Sequence, residues 1–362
     1  MFFMVALLLI ASLVAPPSAQ PADWEKEWNQ TLAAAKKEGK VVVMGSADPV
    51  VRRELPAKFQ ARFGIELEYL GGRGGDNTAK ITMERRAGVY AVDAIFAGLG
   101  NLGGELYMGK MLDPLRPVLI LPGVIDPSKW KNGKLWFVDP EEKYILRLYN
   151  YISAGGLYIN TQHAKPEDFK SVKGLLNPKW KGKIAVYDPT VSGTGSMDAA
   201  RYHSEFGEEF VTRLYVNQKP VISRNKRQLA DWLGRGAYPV SLGVETEAVI
   251  NMKKQGLPVE VLAVADAPAT LSAGNGLLGL LNRAPHPNAA KVFANWIASK
   301  EGLELLARAR NKPQTRADID ESYALPWEIP QPGIKYFDSY SWDFQINELP
   351  RVRERMKELL QR

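Results

Sequence analysis

No cysteine occurs in the 362 residues, and only three histidines do. The first absence excludes disulfides, thiolate metal sites and thiol nucleophiles. The second leaves little imidazole chemistry. His163, His203 and His286 are scattered without a metal-ligand spacing, and His163 and His286 adjoin proline turns expected at the surface. No Gly-x-Ser-x-Gly elbow occurs, so a secreted hydrolase has little support beyond an assembly of distant residues. Internal repeats and low-complexity segments are lacking too. Beyond the N-terminus there is no long apolar run.

That N-terminus is apolar from Phe2 to Val14 and then turns to Ala15-Pro-Pro-Ser-Ala-Gln20. A membrane span needs about 20 apolar residues, so the run is read as the core of a secretory signal, with residues 1–22 removed on export. No Lys or Arg precedes it, and Pro17 stands third back from the best cut, after Ala19. No cysteine follows to carry a lipid anchor. The expected product is a soluble, exported chain of about 340 residues, long enough for two domains. The net charge of +7 is spread among acids, as in Lys36-Lys37-Glu38 and Arg351-Val-Arg-Glu-Arg355. Such mixing describes a solvated surface rather than a nucleic-acid face.

Helix and strand patterns then alternate. Trp24, Trp28, Leu32 and Ala35 recur at helical spacing between Asp23 and Gly39. Val41 to Met44, Ile65 to Leu70 and Val92 to Phe96 are expected strands, separated by helices over 48–63 and 78–86; Pro56 is expected to kink or interrupt the first. This succession predicts an α/β fold with a mainly parallel sheet flanked by helices. After a Pro- and Gly-rich stretch over 112–140, the alternation resumes, and amphipathic helices over 289–299, 302–309 and 346–359 close the chain.

Two phosphate motifs fail on context. Gly98-Leu-Gly-Asn-Leu-Gly103 matches a dinucleotide fingerprint, but Asp113-Pro114 and Pro117 break the helix and strand that should follow. Gly104 to Lys110 spells a P-loop, yet Met111 stands where magnesium needs a hydroxyl. No cofactor is expected.

Lys183 to Ser196 carries more information. The run Ile184 to Tyr187 has the length of a buried strand, Asp188-Pro189 breaks it, and Ser192-Gly193-Thr194-Gly195-Ser196 opens a helix through Met197, Ala200 and Tyr202. Glycines that admit a close backbone, with the free N–H groups of a first helical turn, form an anion cradle. An ordinary N-cap with a glycine turn accounts for the same letters. Gly71-Gly-Arg-Gly-Gly75 follows a strand, so Arg73 and Gly74 are candidates for gripping carboxylate or phosphate; a flexible loop bearing a surface Arg is the alternative. Ser46 and Asp48 lie at the same strand ends, where ligands of open α/β sheets sit, although Asp48 also suits an N-cap.

In this order the elements resemble the periplasmic substrate-binding proteins of ABC importers, in the extracellular solute-binding group that includes ferric-ion, thiamine, polyamine and phosphonate binders. The resemblance rests on Leu176-Asn-Pro-Lys-Trp-Lys-Gly-Lys-Ile184, Ser192-Gly193, Gly155-Gly-Leu-Tyr-Ile-Asn-Thr161 and Ala289 to Gly302. It implies two lobes, each a mainly parallel sheet flanked by helices, with a ligand cleft between them. Lobe I would comprise 23–151 plus 262–310 and lobe II 152–261 plus 311–362. The crossings are placed near Tyr151–Gly156 and Val261–Ala265. It further implies a monomer that catalyses nothing, resides in the periplasm, closes by hinge motion and delivers a small solute to a permease at the inner membrane, with no nucleic-acid partner. Asn225 resembles a residue that bonds the anion in relatives. Ferric relatives carry two adjacent tyrosines after the strand equivalent to Val240–Val244, where this chain reads Glu245-Thr246-Glu247. Those acids suit an ammonium group as well as a hard cation, and a solvated helix start accounts for them equally. A small anionic or zwitterionic solute is therefore the first expectation. Ferric iron held by carboxylates and a bridging anion is the second.

Overall fold

The computed structural model describes residues 23–153, 156–264, 266–267 and 269–361. The expected signal peptide lies outside them, as do Ala154, Gly155 and Ala265 within the expected crossings. In chain order the strands are β1 (Lys40–Ser46), β2 (Glu66–Gly72), β3 (Ala94–Ala97), β4 (Leu112–Asp113), β5 (Leu146–Arg147), β6 (Tyr151–Ser153), β7 (Leu157–Asn160), β8 (Ile184–Tyr187), β9 (Val221–Ser223), β10 (Val240–Leu242), β11 (Val259–Leu262), β12 (Thr270–Ser272), β13 (Leu277–Leu281) and β14 (Phe337–Asp338). The longer helices are α1 (Asp23–Glu38), α2 (Pro49–Phe63), α3 (Gly74–Arg86), α4 (Thr194–Thr212), α5 (Lys226–Gly234), α6 (Thr246–Lys254), α7 (Pro287–Ala298), α8 (Lys300–Arg310) and α9 (Leu349–Leu360).

Two sheets, each with its own core, make the two lobes. In the first, the order is β2-β1-β3-β13-β4, with β5 also on β13. Strands β1, β2 and β3 run parallel, Val43 standing beside Tyr69 and Ala94. The uninterrupted valine run of β1 is buried throughout because helices cover both faces. The second sheet has the order β11-β7-β10-β8-β9, parallel among β10, β8 and β9 and antiparallel at β7.

Helix α2 runs unbroken through Pro56, contrary to the expected interruption. Asp48 caps its start by accepting from the Val50 and Val51 amides, and Gly64 ends it at φ 69°. The buried side chains of Val51, Leu55 and Phe59 hold the helix on the sheet. The bond that Pro56 cannot donate would have gone to the carbonyl of Arg52, an exposed residue that water can serve. His286 departs from its expected surface position as well. Its Nδ1 lies 2.9 Å from the buried Asp93 carboxylate, which also accepts from the Val42 amide.

A third, three-stranded sheet, β14-β12-β6, joins the lobes. Here the expected placement of 311–362 in lobe II needs correcting. Gln314 and Arg316 bridge to Tyr149 and Trp130, and Lys131 pairs with Glu321 at 2.6 Å, so this segment packs on the first lobe. The chain then adds β14 to the joining sheet and sends α9 onto α4 of the second lobe. It thus passes between the lobes a third time.

Arg147, 1% exposed, fastens that passage. Its Nη1 donates to Asp338 at 2.9 Å, its Nη2 to Asn150 at 2.7 Å and its Nε to the Tyr149 carbonyl at 3.0 Å. Arg147→Met should lower unfolding stability by about 3 kcal/mol, because the acceptors around a buried guanidinium lose their donor together. Urea denaturation checks this; a loss below about 1 kcal/mol would mean that the three bonds do not tie the segment down.

Candidate functional site

A cleft of about 1170 Å³ opens along the joining sheet. Gly98 to Asn101 form its first-lobe wall, Tyr151, Ser153, Ser272 and Tyr340 line it from the joining sheet, and Ser192 to Thr194, Met197, Asp198, Lys226 and Val244 to Glu247 form its second-lobe wall. Residues 325–336 contribute Leu325, Trp327, Glu328, Ile334 and Tyr336.

The turn before α4 is set by Asp188, buried at the end of β8. Its carboxylate accepts from the Thr190 amide at 2.9 Å and from Arg224 Nε at 2.9 Å. Gly193 then takes φ 134° and ψ −159°, a conformation that only glycine adopts without strain. Gly195 serves packing, since a Cβ there would stand 2.4 Å from the Tyr187 carbonyl oxygen. Ser196 is buried and donates to the Gly193 carbonyl at 3.0 Å. What reaches the cleft from this loop is Ser192, Gly193 and Thr194. Among the described residues no side chain caps α4. Asp48, Asn225 and Ser299 cap α2, α5 and α8, and Glu38 accepts from the first amides of α7, whereas α3, α9 and α6, the last also starting in the cleft wall, lack a side-chain cap as α4 does. At α4, whose start opens onto the cleft, no side chain among the described residues takes the first-turn N–H groups, which with the positive dipole end face the space a ligand would fill.

Glu245 and Glu247 also line the cleft, Glu245 with Lys226 Nζ 3.3 Å away. The remaining sequence candidates do not line it. Asn225 is an N-cap, accepting from the Arg227 and Gln228 amides. Asp48 caps α2, and Arg310 Nη1 donates to both Ser46 Oγ at 3.1 Å and Asp48 at 2.9 Å. Arg73 is exposed at the start of α3. Gly74 abuts the cleft-lining Asn101 side chain, which a Cβ at that position would meet at 2.5 Å.

Sequence reasoning missed Asp198. It lies one turn into α4, 7% exposed, and faces the cleft. Among the described residues its carboxylate accepts no hydrogen bond and forms no ion pair. Burial pushes its pKa up to about 6, against the pull of Arg201 and Lys226. Its signal in the sequence was a lone acid between Met197 and the apolar Ala199-Ala200 of a helix already recognised. Also missed were Lys226, whose ammonium lies over the Tyr187 ring at 5.9 Å, and Lys312, which pairs with Glu328 and sits 4.8 Å from the Tyr151 ring.

Residues 151–309 match the family model of the bacterial extracellular solute-binding proteins. The match covers the second-lobe strands with α4 to α6 and the part of the first lobe from β13 into α8, so this stretch of the chain is similar to that extracellular solute-binding family. An uncharacterized protein of Haemophilus influenzae is 23% identical over 290 residues, covering 75% of this chain and 76% of that one. The Trichodesmium protein IdiA (FutA), solved with iron and citrate, is 15% identical with a TM-score of 0.66, over 89% of this chain and 99% of its own. Periplasmic AfuA of Actinobacillus pleuropneumoniae, solved with fructose-6-phosphate, is 20% identical with a TM-score of 0.56 over the same shares. Apo FutA2 of Synechocystis has a TM-score of 0.63 at 17% identity, over 89% of this chain and 98% of its own. These solved proteins share the fold of this chain.

Asp198 has a measurable pH signature. Its folded pKa, about 6, exceeds the ordinary 3.8, so the folded protein holds this proton more tightly than the unfolded chain. The resulting stability is fully present below pH 3.8 and is lost as pH rises through 6, a loss of about 3 kcal/mol for a shift of about two units. Asp198→Asn should therefore raise the midpoint of thermal unfolding at pH 7.5, with the gain vanishing near pH 4. Equal midpoints at pH 7.5 would show that the carboxylate is not desolvated.

Proposed function

We propose that this protein captures a small anionic or zwitterionic solute in the interlobe cleft and delivers it to an ABC permease in the membrane from which it was exported. The carrying observation is the uncapped start of α4 in the cleft wall, preceded by Gly193 at φ 134°. Oriented N–H groups at a helix start need no further charge to hold an anion. The lobes would close about it by bending at β6, β12 and β14, which makes these short strands the hinge and the lobe boundary. Export to the periplasm fits the resemblance to periplasmic proteins, and binding without turnover is the role this geometry serves. The ferric reading is weaker. Where iron-carrying relatives were expected to present tyrosines, this chain has Glu245, already beside Lys226, and Glu247, exposed to solvent.

Thermal shift and calorimetry over carboxylates, amino acids, phosphonates, sugar phosphates and ferric salts test the reading. A saturating solute at 100 times its Kd should add about 2.7 kcal/mol of stability. Gly193→Ala imposes backbone strain of about 1–3 kcal/mol on the wall-forming turn and should weaken that solute at least tenfold while the protein stays folded. Stabilisation by ferric salts alone, or unchanged affinity in Gly193→Ala, would overturn the anchor.

A further inference from the structure

We propose that the cleft selects solutes carrying a cationic amine close to their anionic group, with Asp198 as the residue that reads the amine. This deepens the proposed function and rests on its reading of the α4 start as the anion anchor. Thr194 and Asp198 are four residues apart on one helix, which puts the carboxylate about 6 Å along the axis from the first-turn N–H groups. Both face the same cleft. A short molecule reaches both.

The charges around them single out Asp198. Among the other charged residues of the wall, Lys226 is beside Glu245 at 3.3 Å and Lys312 is paired with Glu328. Glu247 and Lys335 are exposed and solvated. Asp198 alone combines burial with the absence of a hydrogen-bonding or ion-pair partner among the described residues. The cost of a desolvated carboxylate is offset when a bound group donates to it. A bare anion at the helix start would have a second negative charge one turn away, with Lys226 already beside Glu245. An ammonium group separates the two charges and satisfies the carboxylate.

The groups facing Asp198 leave it as the titrating member. On its own helix these are Arg201 and Tyr202; from neighbouring elements they are Tyr158 on β7, Tyr215 beyond α4 and Lys226 on α5. Burial raises the three tyrosines well above their ordinary value, so they stay neutral. With its pKa near 6, Asp198 is ionised at neutral pH and ready to accept.

Calorimetry on the full mature chain at pH 7.5 tests this with matched pairs: L-amino acids against their deaminated carboxylates, and short aminoalkylphosphonates against alkylphosphonates. The aminated member of the recognised pair should bind about 10- to 150-fold tighter, the range of a hydrogen bond to a charged group. Asp198→Asn should close that gap by weakening the aminated member only, and Asp198→Ser should do the same if Asn distorts α4. In the wild type, the aminated member's affinity should fall as pH drops below 6. Deaminated acids binding the wild type as tightly as aminated ones, or a gap that survives both substitutions, would overturn the amine site and leave the anion anchor standing. If neither member of any pair binds, the anchor and the amine site fall together.

Discussion

The interlobe sheet depends on one buried cation. Strands of two or three residues such as β6, β12 and β14 bring few ladder bonds and would not hold two lobes in register unaided. Arg147 gathers the carboxylate of Asp338, the amide oxygen of Asn150 and the Tyr149 carbonyl around one guanidinium, with the Tyr340 ring 5.9 Å away. A guanidinium removed from water needs its acceptors in fixed places, so it dictates where the chain must run between 338 and 340. Tyr151, Ser153, Ser272 and Tyr340 acquire their places in the cleft as a consequence.

The second-lobe wall is built on an opposed pair of demands within α4. Its first turn presents N–H donors and the positive end of the dipole, whereas its second turn presents an acid. Gly193 and Gly195 divide the labour at the start of the helix. The first permits the backbone conformation that aims the amides, and the second permits α4 to press against the carbonyls at the end of β8. Within α4 the wall thereby carries two points of opposite sign, and Lys226, Glu245 and Glu247 add mixed charge around them.

Much of the scaffold was legible from local pattern. The valine run of β1, the isoleucine-to-tyrosine run of β8, and the helix signals Gly39 and Asp48 each follow from interactions within a few residues. Ser192, Gly193 and Thr194 were legible for the same reason, since a strand, a tight turn and a helix start are contiguous in the chain. Asn225 and Asp48 show the limit of that reasoning. An Asx residue before a helix looks the same whether its oxygen caps the helix or faces a ligand, and here both cap.

Sequence alone settled the α/β alternation, the absence of thiol chemistry and the glycine turn that opens α4, because periodicity, composition and turn chemistry are local properties. Tertiary structure decided the rest. It sent residues 313–321 back to the first lobe through Gln314, Arg316 and Glu321, partners more than 160 residues from Tyr149, Trp130 and Lys131. It gave His286 to Asp93, 193 residues away. It also left Asp198 buried without a hydrogen-bonding or ion-pair partner among the described residues, a state defined by what fails to approach a side chain, which no stretch of letters around position 198 can encode.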